Sequence, residues 1–217
     1  PTRQGRFWSC ALILVIAILE PRAEEWTVGE VRFVGNDTIS RKRLLGVMES
    51  APPFLWRKTE YSLPLLQGDL AALERLYANQ GRSLARVWIE QIERDTSKHT
   101  VAITLTIEEG PLITIDTIEF TGNRIYPDTA FPGMIDITEG DPLSPQELDR
   151  ATEAIEEALA EDGHLFARVE YGRAIDTAEA KGAVEMSIRE GPLMTVDGIR
   201  IVGLKAIIPH VMRRELV

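Results

Sequence analysis

The chain has 217 residues, a formal net charge of −10 and a single cysteine. Its 34 acidic residues outnumber the 24 basic ones, which argues against a nucleic-acid partner because nucleic-acid phosphates require a basic surface. One cysteine excludes an internal disulfide, and the three histidines lack the spacing of a metal site, so no cofactor is expected.

The N-terminal residues 1–23 have the pattern of a secretory signal peptide. Arg3 and Arg6 precede an uncharged, mostly apolar run at residues 7–19, which is too short to span a bilayer as a helix. We therefore expect export followed by cleavage after Ala23. A retained membrane anchor or a buried helix is the alternative that the same run allows.

A pattern that occurs twice divides the rest of the chain into units. The stretch IEEGPLITIDTIEFTGN at residues 107–123 returns as IREGPLMTVDGIRIVGL at residues 188–204. Its central Gly-Pro pairs lie 81 positions apart. Such a repeat predicts two similar units, at residues 27–109 and 111–190, and the start of a third at residues 192–217.

The first unit is predicted to fold as strand, short helix, long helix, strand, strand. Val31 and Phe33 alternate before a Gly-Asn turn, and Ser40 is placed to cap a short helix. The long helix, which Gly81 ends, aligns the apolar side chains of Leu66, Leu70, Leu73 and Tyr77 on one face. The stretches SLARVWIEQIER and TVAITLTIE then form a closing hairpin.

The second unit repeats this order with a weaker first helix. Its first strand changes phase near Asp116 or Thr117, which predicts a β-bulge. Pro127, Pro132 and Gly133 interrupt the following segment, so we expect one short helical turn there. The closing strands are LFARVEYGR and GAVEMSIRE.

The long helix of the second unit has the strongest local pattern in the chain. Ser144 is the predicted N-cap, with Pro145 at the first helical position, Glu147 closing a capping box and Gly163 after the end. The apolar stripe consists of Leu148, Ala151, Ile155, Ala158 and Leu159. The opposite, solvated face carries Glu153, Glu156, Glu157 and Glu161. Both units are thus predicted to be α+β, with a three-stranded sheet backed by two helices.

Gly-Pro pairs join the units. The last strand of each unit leads through Gly110-Pro111 or Gly191-Pro192 into the first strand of the next. Proline fixes its own backbone and restricts the residue before it to extended conformations. We therefore expect these inter-unit joints to be continuous, extended and stiff, so that the units keep a fixed relative orientation.

This ordered set of elements resembles the polypeptide-transport-associated (POTRA) domain. The resemblance rests on the order of strands and helices, the Gly-Pro joints, the Gly-Asn turns and the long helix that ends in Gly before a strand containing ARV. The resemblance covers residue 27 to the end and looks most like the periplasmic arms of BamA- and TamA-type outer-membrane insertases. That family often has an aromatic residue after the helix-ending Gly, where this chain has Arg82 and His164; Phe166 is a candidate for part of that role.

The resemblance implies a periplasmic segment at the cell outer membrane that binds and relays unfolded polypeptides for insertion into, or transport across, that membrane. Implied partners are unfolded outer-membrane or secreted polypeptides, accessory assembly proteins and a membrane β-barrel later in the same chain. The arm of a two-partner secretion transporter and an anchored, division-type interaction scaffold are the alternatives. Catalysis is not expected, because paired carboxylates such as Glu108 and Glu109 point to opposite faces of a strand.

If the first strand pairs with the far side of the last, as in that family, the penultimate strand of each unit is a sheet edge. Its free backbone groups can pair with an extended chain, so we expect β-augmentation there. The edge residues are Leu84, Arg86, Trp88, Glu90 and Ile92 in the first unit, and Arg168 and Glu170 in the second. Trp88 lies in the phase opposite Val87 and Ile89, which favours the first unit, and a proline at Trp88 is expected to remove an edge donor. Edges that are only solvated, or covered by a neighbouring unit, are the alternative.

The loop at residues 51–61 is a second candidate contact surface. Its large side chains, next to Arg57 and Lys58, are Phe54, Leu55, Trp56 and Tyr61. These side chains form an exposed surface for a partner or cover the core of the first unit. The sequence leaves both readings open.

Overall fold

The computed structural model of the protein describes residues 25–52 and 59–198. Within them lie two three-stranded sheets, each with helices packed against it, so the predicted α+β class is confirmed. The predicted signal peptide, the middle of the loop at residues 51–61 and most of the predicted third unit lie outside the described residues.

The first unit has the predicted element order. It consists of strand β1 (Thr27–Val34), helix α1 (Arg41–Val47), helix α2 (Leu63–Ala78) and strands β2 (Arg86–Asp95) and β3 (Thr100–Glu108). The sheet order is β1-β3-β2. Strand β3 lies in the centre, parallel to β1 and antiparallel to β2.

The second unit has the same topology. It consists of strand β4 (Thr114–Thr121), a 3-10 helix (Asp128–Gly133), helix α3 (Pro145–Glu161) and strands β5 (Arg168–Asp176) and β6 (Lys181–Arg189). The sheet order is β4-β6-β5, with β6 in the centre. The 3-10 helix stands where the first unit has α1, because Pro132 and Gly133 prevent a longer helix, as predicted.

The start of helix α3 forms half of the predicted capping box. The Ser144 hydroxyl accepts a hydrogen bond from the Glu147 N–H at 3.3 Å, and Pro145 occupies the first helical position. The Glu147 carboxylate does not close the box. It accepts instead from the Arg150 guanidinium at 2.8 Å, while the Ser144 N–H donates to the Pro142 carbonyl.

The core of the second unit lies between α3 and the sheet. It joins four helix residues, namely Leu148, Ala151, Ile155 and Leu159, to Val184, Met186 and Ile188 of β6. Phe131 of the 3-10 helix closes the other end of this core. Its side chain is 1% exposed and stacks on Phe120 with ring centroids 4.5 Å apart. Phe131 is thus the buried residue that the 3-10 helix contributes to this core, as Leu44 is the one that α1 contributes to the core of the first unit.

The bulge and the turn of β4 follow the sequence pattern. The register of β4 against β6 shifts between Ile115 and Thr117, as predicted from the change of phase. The Gly-Asn turn follows, and the Asn123 side chain donates to the Tyr126 carbonyl at 2.9 Å. Gly122 has a φ of +82°, and a side chain there would collide with the carbonyl oxygen of Ile188.

The joint between the units is not one continuous strand, so that prediction is wrong. Residues 109–113 belong to no strand, and Gly110 has a φ of +67°. A left-handed glycine turns the chain before Pro111 can extend it, and Gly191 repeats this conformation with a φ of +69°. The fixed relative orientation of the units remains a prediction.

Backbone and side-chain contacts hold this joint. The Ile113 N–H donates to the Gly81 carbonyl at 2.8 Å, and the Ile113 side chain is 0% exposed in the core of the second unit. The Asn79 side chain donates to Gln146 at 3.3 Å. Gly81 has a φ of +79°, and a Cβ there would lie 2.8 Å from the Cβ of Pro142. The end of α2 therefore contacts the second unit with no room for a side chain.

Replacing Gly81 with alanine should destabilise the protein by at least about 1 kcal/mol, because an L-residue is strained in the left-handed region and the new methyl group meets Pro142. Denaturant unfolding measures the loss. Gly68→Ala is the matched control, since no atom lies within 4 Å of a Cβ at that position on α2. A Gly81→Ala protein as stable as the wild type would contradict this account of the joint.

Candidate strand-pairing edges

Strands β2 and β5 lie at the edges of their sheets. Each pairs on one side with the central strand, β3 or β6. On its other side, no strand among the described residues pairs with it. This is the position that the sequence analysis expected for the penultimate strand of each unit. Peptide binding at these edges remains a prediction.

The predicted edge residues of the first unit have different environments. Leu84 precedes the strand and lies in the turn before it, because β2 begins at Arg86. Trp88 is 40% exposed, and its indole N–H donates to the Glu90 carboxylate at 3.2 Å. Ile92 instead packs partly against the core. The outward phase of Trp88 therefore agrees with the sequence pattern.

The two edges differ in regularity. The register of β2 against β3 shifts between Ile89 and Gln91, so Glu90 is the extra residue of a bulge. Strand β5 pairs with β6 without any shift from Arg168 to Asp176. Bulges twist an edge and hinder the addition of another strand. The backbone thus favours β5 as a template, whereas the exposed Trp88 favours β2.

A glutamate from the long helix binds the start of each edge strand. Glu74 of α2 accepts a hydrogen bond from the Val87 N–H at 3.1 Å, and Glu156 of α3 accepts one from the Val169 N–H at 2.8 Å. Glu156 also lies 3.8 Å from the guanidinium of Arg168. Its side chain is only 32% exposed, so its assignment to a solvated helix face was wrong.

These glutamates are the residues that the sequence analysis missed. Helical spacing shows which side chains share a face, but it does not show which strand lies beside that face. A usable pattern was present, since each glutamate precedes the valine of the shared ARV by 13 residues. That repeated spacing is visible once the two units are aligned.

The hydrogen bond from the Val87 N–H to Glu74 also shows in which direction the N–H groups of the neighbouring residues point. The N–H groups of successive strand residues point to opposite sides, and that of Val87 points away from β3. The N–H of Trp88, which pairs with Thr106, must then face β3. A proline at Trp88 would break the sheet itself, so the expectation that it removes an edge donor is wrong.

Glu109 ties the end of β3 to two parts of the first unit, the loop at Thr38 and helix α2. Its carboxylate accepts from the Thr38 N–H at 2.9 Å, the Thr38 hydroxyl at 2.8 Å and the Tyr77 hydroxyl at 3.0 Å. Burial raises the pKa of Glu109, but these hydrogen bonds and the charge of Arg82 outweigh it and hold the pKa below its ordinary value. Burial is the main cause that raises the pKa of the Tyr77 hydroxyl, and its hydrogen bond to Glu109 is the second.

Both joints are held by the residue after the helix-ending glycine. Arg82 donates to the Gly110 carbonyl, and the His164 ring lies 3.1 Å from the Gly191 carbonyl. Phe166 is 60% exposed, so it does not take the aromatic role considered for it. The predicted joint residues Pro111 and Pro192 are exposed.

The candidate partner loop is only partly described. Phe54, Leu55 and Trp56 lie outside the described residues. Tyr61 is partly buried against the core of the first unit, and its N–H donates to the Trp26 carbonyl at 2.7 Å. For Tyr61 the structure agrees with the core-covering alternative.

Residues 25–52 and 59–198 contain no candidate metal centre and no candidate membrane span. No group of three or more metal-binding side chains lies together in this part of the chain. No helix in it has the length and apolar character needed to cross a membrane.

A family model described as "POTRA: Surface antigen variable number repeat" matches residues 26–110 and again residues 113–191. The chain belongs to this family. Each POTRA match contains one of the two sheets together with its edge strand. The resemblance inferred from the Gly-Pro joints and Gly-Asn turns is therefore confirmed.

Two curated relatives are similar to most of this POTRA chain. A protein named as an outer membrane protein assembly factor in Treponema pallidum (strain Nichols) is 22% identical over 207 residues, which are 94% of this chain and 25% of that protein. Outer membrane protein assembly factor BamA of Buchnera aphidicola is 22% identical over 205 residues, 93% of this chain and 33% of that protein. The chain thus spans a third or less of the length of these relatives.

Solved structures show the same fold. The crystal structure of Haemophilus influenzae BamA POTRA3-5 has a TM-score of 0.58 and 22% identity, and the match covers 91% of this chain and 79% of that chain. BamA from Haemophilus ducreyi lacking POTRA domains 1-3 has a TM-score of 0.54 and 18% identity, covering 76% of this chain and 29% of that chain. The family and its relatives place the protein at the cell outer membrane, with the POTRA segment in the periplasm.

Replacing Glu109 with glutamine should make the protein about 1 to 2 kcal/mol less stable at pH 7, because three hydrogen bonds lose their charged acceptor. The lowered pKa means that this stabilisation is complete above the pKa of the unfolded chain and is lost as the pH falls through the folded pKa. Urea unfolding at pH 7 and pH 3 should therefore show a difference between variant and wild type that shrinks in acid. Glu108→Gln, at the exposed neighbouring position, is the control. A difference that is equal at both pH values would contradict the role of the Glu109 charge.

Proposed function

We propose that this POTRA segment is a binding arm that holds unfolded polypeptides in the periplasm and passes them on for insertion into the outer membrane. Both curated relatives are assembly factors by name, which supports insertion over secretion. The arm acts by binding, without catalysis. Its partners are unfolded outer-membrane polypeptides, accessory assembly proteins and a membrane β-barrel of the same protein.

The observation that carries this proposal is the regular open edge of β5. The Val169 N–H points outward to Glu156, so alternation along the strand turns the backbone groups of Tyr171, Arg173 and Ile175 outward as well. No side chain in the described part of the chain accepts a hydrogen bond from these three N–H groups. An extended polypeptide can pair with them, whatever its sequence.

Backbone pairing suits a relay that accepts many sequences. Its hydrogen bonds involve groups that every polypeptide has, while side chains add a milder preference. Arg173 and Glu170 are exposed on β5, and Glu170 pairs with Arg189 at 2.7 Å. The edge thus presents charged side chains beside its free backbone groups, which limits uncontrolled pairing between copies.

Arg173→Pro tests the edge directly, because it removes one outward N–H at an exposed position of an edge strand that tolerates proline. Its binding to a ten-residue peptide with the alternating pattern of a membrane β-strand should weaken roughly threefold to tenfold, the worth of one backbone hydrogen bond. Isotope-labelled full-length chain titrated with the peptide gives both the affinity and the residues affected.

Arg173→Ala is the matched control, since it keeps the backbone N–H and removes the same side chain. It should bind the peptide like the wild type. Equal binding by the proline variant, or chemical-shift changes confined to α3, would contradict pairing at β5.

A further inference from the structure

The helix glutamates Glu74 and Glu156 have the same position relative to an edge strand in both units. Each lies 13 residues before the valine whose N–H it accepts, and each strand begins at the arginine just before that valine. Besides the glutamate, the two nine-residue stretches ERLYANQGR and EEALAEDGH share only one alanine and the helix-ending glycine. The contact is therefore a repeated feature of the two units and not an isolated surface bond.

A carboxylate at this place occupies the site that a partner strand would need. The N–H of Val169 is the first outward donor of β5, and an incoming strand would offer it a neutral carbonyl oxygen. Hydrogen bonds to an ionised acceptor are shorter and stronger than those between neutral groups. If a peptide carbonyl displaced the Glu156 carboxylate from the Val169 N–H, the charged carboxylate would also lose this hydrogen-bond donor.

The geometry makes the contact stronger in the second unit. The distance from the carboxylate to the strand N–H is 2.8 Å for Glu156 and 3.1 Å for Glu74. Arg168 lies 3.8 Å from the other oxygen of Glu156. The more regular edge, β5, thus has the more firmly held glutamate.

We propose that Glu156, and Glu74 in the first unit, are register-determining residues that close the first outward donor of each edge strand to an incoming chain. A bound strand then pairs with β5 from Tyr171 onward and does not reach Val169. This inference rests on the proposed strand-pairing function. It goes beyond that function because it proposes that a helix side chain determines where along the edge strand a bound chain begins to pair.

The alternative is that the glutamates only fasten the long helix to the sheet. Both roles predict faster hydrogen exchange of the Val169 N–H when the carboxylate is removed. Only the register role predicts a change in how a peptide binds. Peptide affinity and the extent of the affected edge therefore distinguish the two.

The experiment compares wild-type chain with Glu156→Ala, Glu156→Gln and Glu157→Ala, using the same ten-residue alternating peptide. Glu156→Gln keeps an acceptor oxygen, and Glu157 is the exposed neighbour that makes no hydrogen bond to β5. Glu156→Ala should bind the peptide at least threefold more tightly, with chemical-shift changes that now extend to Val169. Glu157→Ala should bind like the wild type and show no protection of Val169 by the peptide. Glu156→Gln, which has a neutral acceptor, should bind the peptide with an affinity between those of the wild type and Glu156→Ala.

Each outcome is decisive. Equal peptide affinity for Glu156→Ala and wild type, with faster exchange at Val169, would overturn the register role and leave the proposed function intact. Slower hydrogen exchange of the Val169 N–H in the wild type when the peptide is bound would also overturn the register role and leave the proposed function intact. Peptide binding by none of the four proteins, or by Glu156→Ala alone, would overturn the proposed function and the register role together, because both require the wild-type chain to bind the peptide from Tyr171 onward.

Discussion

Each unit has one central strand, so every sheet has two outer strands whose outward backbone groups have no third strand to pair with. Strands β3 and β6 are paired with strands on both sides, and among the described residues β2 and β5 have a partner on one side only. The outer sides of β1 and β4 instead form short bridges to loop residues, Thr27 to Glu60 and Thr114 to Pro142. A sheet of three strands is near the lower limit of independent stability and cannot close on itself. Its outer backbone groups must therefore be hydrated, capped by side chains or paired with another chain. The helix glutamates, the bulge in β2 and the charged side chains on β5 all act on this constraint.

The two units keep a common scaffold and differ at their edges. Both have a glycine-ended long helix, a capped first edge donor and a joint carbonyl contacted by Arg82 or His164. The first unit interrupts its edge with a bulge at Glu90, whereas the second has an unbroken edge and a reduced first helix. The two units of this tandem arrangement therefore present edge strands of different regularity.

Local patterns predicted the elements well, and long-range geometry was predicted poorly. The limits of β3 were correct because strict alternation of buried residues continues from Val101 to Ile107. The joint was not predicted, since the sequence Gly-Pro shows the rigidity of proline but not the positive φ that Gly110 adopts. The direction of the Trp88 N–H depends on strand register, which composition and period do not give. Glu156 was wrongly assigned to the solvated face of its helix for a related reason, because helical spacing does not show which strand lies beside that face.

Backbone contacts between a bound peptide and β5 test the central claim most directly. Intermolecular nuclear Overhauser effects between peptide backbone protons and those of Tyr171 and Arg173 would place the peptide as a fourth strand, since paired strands lie about 4.8 Å apart. The account predicts these contacts, with the alternating pattern of a sheet and none to the face of α3. Contacts to α3 alone, or to β4 at the opposite edge, would contradict it.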